Sequence, residues 1–195
     1  MTADAALTKS AAQTRRLRMV GDSPDDSRES NDFYPTPPMA TDALLAVESF
    51  DGDIWEPACG DGAISKVLEA KGYRVISSDL VDRGYGETGT DFLFEFAPRT
   101  KHIITNPPFK LAVQFIDKSL ALTTGKVAML LRITALEGIE RRKMFEKTPL
   151  ARVWIFSKRI TFARGGVESH GGGMLAFAWF VWEHGYTGKP TLGWI

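Results

Sequence analysis

Three stretches of this sequence combine residue types and spacings that can do chemistry. The apolar run His102-Ile103-Ile104-Thr105 ends in Asn106-Pro107-Pro108-Phe109. Two successive prolines fix φ and remove two backbone donors, so this turn offers carbonyls, the Asn106 amide and the Phe109 ring to whatever lies beyond the strand. Upstream, Glu56-Pro57-Ala58-Cys59-Gly60-Asp61-Gly62 follows another short apolar run and opens a helical pattern. Gly60 and Gly62 there permit a tight turn and close approach of a ligand to the backbone and the helix N-terminus. Between the two stand Asp79, 17 residues past Gly62, and the pair Asp91-Phe92.

The glycine loop fits the dinucleotide fingerprint G-x-G-x-x-G poorly, because Ala58, Gly60 and Gly62 are followed by Ile64 and Ser65. Its acids, Glu56 and Asp61, would repel a pyrophosphate but suit a ligand carrying ammonium and sulfonium charges. A carboxylate at a strand end, such as Asp79, can accept both hydroxyls of a ribose. An ordinary glycine-rich β-to-α turn with an acidic strand end would carry the same residues, and Asn-Pro also begins turns for structural reasons alone. What distinguishes this chain is the order: acidic glycine loop, Asp79, Asp91-Phe92, then the Asn106 turn, as a nucleoside-cofactor site requires.

These residues need strands that end at one edge. Short apolar runs predict strands over 53–56, 73–79, 101–105, 126–132, 151–156 and 175–182; helical spacing predicts helices over 39–50, 63–71, 111–123 and 134–146. Strands alternating with helices imply a doubly wound α/β fold, a mostly parallel sheet with helices on both faces. In such sheets ligands sit beyond the carboxyl ends of the strands, at the switch point of strand order. The first 32 residues are polar and charge-blocked and read as a disordered arm, which leaves 33–195 as one domain.

Composition narrows the classes further. The 195 residues include one cysteine, Cys59, which excludes a disulfide framework and a multi-cysteine zinc site; no metal is expected. The longest apolar run, Met174 to Trp182, is nine residues, too short to cross a bilayer. No signal-peptide core appears near the N-terminus, so the cytoplasm is the expected compartment. Net charge is zero, yet residues 1–100 hold 10 Lys/Arg against 18 Asp/Glu while residues 101–195 hold 14 against 6. The C-terminal half could therefore face an anionic polymer, or the charge could simply be solvated.

With these motifs in view, the sequence resembles the class I S-adenosylmethionine-dependent methyltransferases, specifically the phage- and prophage-type enzymes that methylate the exocyclic amine of adenine in DNA. The resemblance runs from about Phe33 to the C-terminus, and Asn106-Pro107-Pro108-Phe109 is its most specific element. It implies a Rossmann-like, mostly parallel seven-stranded sheet with the last strand antiparallel, and in the remaining length no separate target-recognition domain is expected. It assigns cofactor contacts to Tyr34, Thr36 and Pro37 in the segment before the loop, to Glu56, Ala58, Gly60, Asp61 and Gly62 in the loop, and to Asp79, Asp91, Phe92 and Asn106. Leu130-Leu131-Arg132, Glu137-Gly138, Arg141 and Arg159-Ile160-Thr161-Phe162 resemble the same group more loosely, whereas the glycine-rich stretch 165–174 departs from it.

The chemistry implied is methyl transfer to a poor nucleophile, the aromatic amine, whose two N–H groups would bond the Asn106 side-chain oxygen and the Pro107 carbonyl. Pro108 stiffens that turn, and Phe109 would stack on a base flipped out of the duplex. Arg132, Arg141, Arg142, Lys143, Arg159, Phe162 and Arg164 are the expected nucleic-acid contacts. They lie in a segment, 132–164, with nine basic residues against three acids, although a solvated helix face would look the same. RNA methylation on an adenine or guanine amine is the alternative reading, and a non-catalytic nucleic-acid-binding module of the same fold is a second. No membrane partner is expected.

Overall fold

The computed structural model describes residues 33–162 and 175–195. The arm expected over 1–32, the 165–174 stretch and Arg164 lie outside the described residues.

Four helices and seven strands follow one another in the described chain. Helix α1 (Pro38–Val47) starts on a proline, whose fixed φ suits the first helical turn, and buries Ala40, Thr41 and Leu44. Strand β1 (Ile54–Glu56), helix α2 (Ala63–Ala70) and strand β2 (Val75–Ser77) come next. After a long connection come β3 (His102–Thr105), α3 (Ala112–Leu122), β4 (Lys126–Arg132), α4 (Ile139–Lys147), β5 (Leu150–Ile155), β6 (Phe177–Glu183) and β7 (Thr191–Trp194).

The strands form one sheet in the order β2-β1-β3-β4-β6-β5-β7. Strands β2, β1, β3 and β4 are parallel, and β6 runs antiparallel to both β4 and β5. The chain leaves β1 for β2 on one side and returns to β3 on the other, so the switch point lies between β1 and β3. There the loop after Glu56 and the turn after Thr105 face each other across the carboxyl edge.

Side-chain alternation along β4 and β6 builds the core on both faces. Val127, Met129 and Leu131 join Ala178, Phe180 and Trp182 on one face, with Phe115, Ile116 and Leu122 of α3 and Phe145 of α4. Ala128 and Leu130 join Phe177, Trp179 and Val181 on the other, with Ala40 and Leu44 of α1 and Ile64 and Leu68 of α2. Burying each of these large side chains contributes about 1.5–3 kcal/mol, so the two faces hold the sheet together between them.

Three local differences from expectation have physical causes. The helix predicted over 134–146 starts only at Ile139: Ile133–Leu136 is a 3-10 turn, and Gly138 at φ 100° interrupts the path between them. The strand predicted over 73–79 shortens to Val75–Ser77. The antiparallel strand predicted at 175–182 is present as β6, but a further edge strand, β7, follows it and runs parallel to β5. That strand is short and largely exposed, so its residues carry no alternation to read.

Candidate active site

Asn106 leaves β3 at the carboxyl edge. Its side-chain Nδ2 donates to the Thr36 hydroxyl at 3.1 Å and, at 3.5 Å, to the Tyr34 carbonyl. A carbonyl can only accept, so this contact sets which end of the amide faces the 34–36 segment. The other end, Oδ1, is buried and has no hydrogen-bond partner among the described residues. Pro107 is buried and Pro108, at φ −54° and ψ 126°, caps the short turn Phe109–Leu111 that leads into α3. The segment before α1 and the turn after β3, 70 residues apart, thus meet at one amide.

An aromatic cluster surrounds it. The rings of Tyr34 and Phe109 stack with centroids 6.1 Å apart, and Phe162 meets Tyr34 edge-on at 6.4 Å and Phe177 at 4.8 Å. The Arg132 guanidinium lies 4.5 Å from the centre of the Phe109 ring, a cation–π contact. Phe177 gives no sequence sign of belonging here, because it sits in the unbroken apolar run of β6.

The glycine loop is tied to the end of β2 by its own backbone. The Cys59 N–H donates to the Ser78 carbonyl at 3.0 Å, and Ser78 N–H returns a bond of 3.0 Å to the Glu56 carbonyl. The Asp79 carboxylate accepts the Gly60 N–H at 2.8 Å through one oxygen and the Val81 N–H at 2.9 Å through the other. Gly60 and Gly62 have φ of 57° and 81°, and the rings of Phe33 and Tyr85 press so close to them that a Cβ at either position would collide. Arg83 in turn lies 3.9 Å from the centre of the Phe33 ring. Phe33 begins the segment that the resemblance places before the glycine loop, whereas Tyr85 is absent from the sequence reading, because a loop aromatic shows no periodicity.

The two loop acids differ. Glu56 is buried and its carboxylate accepts the Ser65 N–H at 2.8 Å and the Ser65 hydroxyl, so it faces the start of α2. Burial pushes its carboxyl well above the usual range, with Asp79 and Asp61 adding to the effect against the Ser65 hydrogen bonds. Asp61 is only partly covered, yet its Oδ1 is buried without a partner among the described residues. Burial, with Glu56 and Asp79 nearby, pushes the Cys59 thiol up to about 12, which keeps it protonated and unreactive.

The remaining expected residues spread outward from this edge. Thr36 is buried, Pro37 precedes α1, and Ala58 packs against the face of the core that includes Phe115. Asp91 caps a short turn by accepting the Leu93 N–H at 3.0 Å, while the Phe92 ring is a core group against Trp55 and Phe115. Thr90 N–H donates to the Asp79 carbonyl at 3.0 Å, which joins the two acid-bearing segments. On α4, Arg142 pairs with Glu146 and Lys143 with Glu140, each at 2.7 Å on an exposed face. Such pairs contribute about 0.3–0.5 kcal/mol and partly neutralise the basic surplus. Arg141 is exposed and donates to the Thr134 carbonyl at 3.0 Å; Arg159 is also exposed.

No protein-family model matches the sequence, and no curated protein matches it either. Solved structures do match in shape. A protein assigned as an RNA methyltransferase from Pyrococcus horikoshii superposes with TM-score 0.60 at 14% identity over 89% of this chain and 98% of its own. A protein assigned as a modification subunit of a type I restriction enzyme from Vibrio vulnificus gives TM-score 0.56 at 15% identity, over 95% of this chain and 50% of that one. Magnesium protoporphyrin IX methyltransferase from Synechocystis, solved with S-adenosylmethionine bound, gives 0.53 at 15% identity over 90% and 92%. This fold is the one they share. Here its carboxyl edge carries the Asn106 turn, Asp79 and the glycine loop. Among the described residues, no helix is long and apolar enough to cross a membrane.

Proposed function

We propose that this chain transfers a methyl group from S-adenosylmethionine to the exocyclic amine of adenine in DNA. One observation carries the reading: the Asn106 amide is held by its nitrogen so that its buried oxygen is left as an unused acceptor at the carboxyl edge, beside the Pro107 carbonyl and the Phe109 ring. An amine with two N–H groups and an aromatic ring matches that set of two acceptors and a stacking face. The similar folds support it, since they include a protein named as a restriction-enzyme modification subunit and one named as an RNA methyltransferase.

The residues at the loop fit the cofactor. Asp61 keeps a buried oxygen with no partner, an acceptor suited to a cationic amino-acid group, and Asp79 stands where a ribose would meet a strand end. Tyr34, Thr36 and Pro37, with Ala58, Gly60, Gly62 and Asp91, would form the rest of the cofactor surround, and the buried Glu56 and Phe92, expected from the sequence to touch the cofactor, support it from the core instead. When bound, S-adenosylmethionine supplies a methyl group already activated on a positively charged sulfur.

The chain's own work is then to prepare the amine. Hydrogen bonds from its N–H groups to Asn106 Oδ1 and the Pro107 carbonyl draw the nitrogen toward a tetrahedral shape and free its lone pair. As the nitrogen gains a methyl carbon it gives up one proton, which passes to water. No strong base is needed, so rate comes from positioning and electrostatics. Phe109, with Phe162 nearby, offers the stacking face for an extruded base, and Arg132, Arg141 and Arg159 stand by for phosphates. Mass spectrometry of nucleosides from DNA and RNA incubated with the protein and labelled cofactor tests the assignment: N6-methyladenine in DNA is expected. Label in RNA alone would move the substrate to RNA, and label in neither would leave a binding module of the same fold.

A further inference from the structure

A pocket of about 180 Å³ opens between the start of α3, the end of β4, the Ile133–Leu136 turn and α4. Its walls are apolar, with Ile116, Leu131, Met144 and Phe145 among them, and its lining adds three cations, Lys110, Arg132 and Arg141, with no carboxylate among the described residues. Leu131, Ile116 and Phe145 belong to the face of the sheet opposite the one that holds Phe162 and Phe177, so this is not the space around Tyr34. Phe109 is common to both: it lines the pocket and also stacks on Tyr34.

Arg132 makes the pocket look made for an anion. Its guanidinium covers the Phe109 ring, and its Nε is buried with no hydrogen-bond partner among the described residues. A buried donor without an acceptor is costly, and the guanidinium that carries it lines the pocket, where an anionic oxygen can pair with its charge. The volume is below the several hundred Å³ of sites that enclose whole cofactors, which limits the apolar part of an occupant to about one planar ring. An apolar floor for one ring beneath a purely cationic lining has the chemistry of a single nucleotide.

We infer that this pocket is a second nucleotide subsite, which takes the residue adjoining the target adenine on the same strand. The neighbour's base lies against Met144 and Phe145, and its phosphate meets Arg132 and Arg141. The inference rests on the methyl-transfer reading, because the shared Phe109 wall is what makes an occupant of the pocket a neighbour of the target. It also gives Arg141, the one of the three clustered α4 cations that lines the pocket, a role that Arg142 and Lys143 lack.

The test uses the full chain and short single-stranded oligonucleotides, DNA and RNA, with one adenine, read by fluorescence anisotropy and by labelled methyl transfer. Met144→Trp fills the pocket. It should weaken oligonucleotide binding by roughly tenfold, the scale of one lost stacked base, with cofactor affinity unchanged. An oligonucleotide made abasic next to the adenine should bind the unmodified protein as weakly, and Met144→Trp should no longer distinguish it from the intact strand. Arg141→Ala should weaken binding and Arg141→Lys should restore most of it, a pair that carries the test if the tryptophan variant fails to fold. Undiminished binding by these variants, with intact discrimination against the abasic strand, overturns the subsite. Binding and discrimination without any methyl transfer would keep the subsite and remove the methyl-transfer reading; methyl transfer indifferent to the neighbour would do the reverse.

Discussion

The Asn106 side-chain nitrogen and the Thr36 hydroxyl lie 3.1 Å apart, and this bond, with the Tyr34 carbonyl, decides which way the amide at the carboxyl edge of β3 points. Asn106→Ala removes the acceptor itself and should lower turnover by about 100-fold or more with cofactor affinity much less affected. Thr36→Val removes only the group that orients the amide, so a smaller loss of about tenfold in kcat is expected, with Thr36→Ser close to the unmodified protein. Steady-state kinetics beside calorimetric cofactor titration separate the two: a Thr36→Val variant that loses cofactor affinity and keeps kcat would place the threonine on the cofactor instead.

Asp79 is expected to have two measurable roles. Its carboxylate accepts the Gly60 and Val81 N–H groups, so Asp79→Ala leaves two backbone donors without their acceptor and should cost about 1–3 kcal/mol of stability. Calorimetry should also show cofactor binding weakened by at least about tenfold, or 1.4 kcal/mol. A destabilised variant with full cofactor affinity would leave Asp79 a loop tie only.

Phe109→Ala should weaken capture of an extruded base, and the loss should be partly relieved when the target adenine is mismatched or single-stranded, where extrusion costs less. Phe109→Trp retains a stacking face and should keep more activity than alanine. Equal losses on paired and single-stranded substrates would mean that the ring serves only the Tyr34–Phe177 cluster.

Glu56 makes stability depend on pH in a definite direction. Burial raises its carboxyl well above 4.5, so the folded protein keeps a proton that the unfolded chain releases. Above pH 4.5 the folded state therefore holds more of this proton than the unfolded chain does, and stability falls with rising pH until the folded group itself ionises. Glu56→Gln keeps an acceptor for the Ser65 N–H and cannot ionise, so its unfolding free energy, measured in denaturant over a series of pH values, should decline less through that window. Parallel curves for the two proteins would mean that Glu56 is not the group responsible.

What the sequence determined by itself is local. Continuous apolar runs announce strands buried on both faces, and β4 appears over the residues predicted, Lys126–Arg132. Prolines dictate the turn after β3, and the glycine loop needs glycine at 60 and 62. These properties depend on a residue and its near neighbours, so they survive translation into one dimension.

Tertiary structure decided the rest, because it depends on which distant segments meet. Arg141, Arg142 and Lys143 are equivalent charges in the sequence, yet two are paired along α4 while Arg141 lines a pocket. Glu56 and Asp61 are both loop acids, yet only Glu56 accepts from Ser65, whose hydroxyl in turn meets that of Ser77. Neither the stacking of Arg132 on Phe109 nor the added edge strand β7 has a periodic trace. Most of all, Asn106 has a direction only because the sheet order brings the start of the described chain to the end of β3. A side-chain amide has a donor end and an acceptor end, and which one faces outward is settled by the partner that occupies the other.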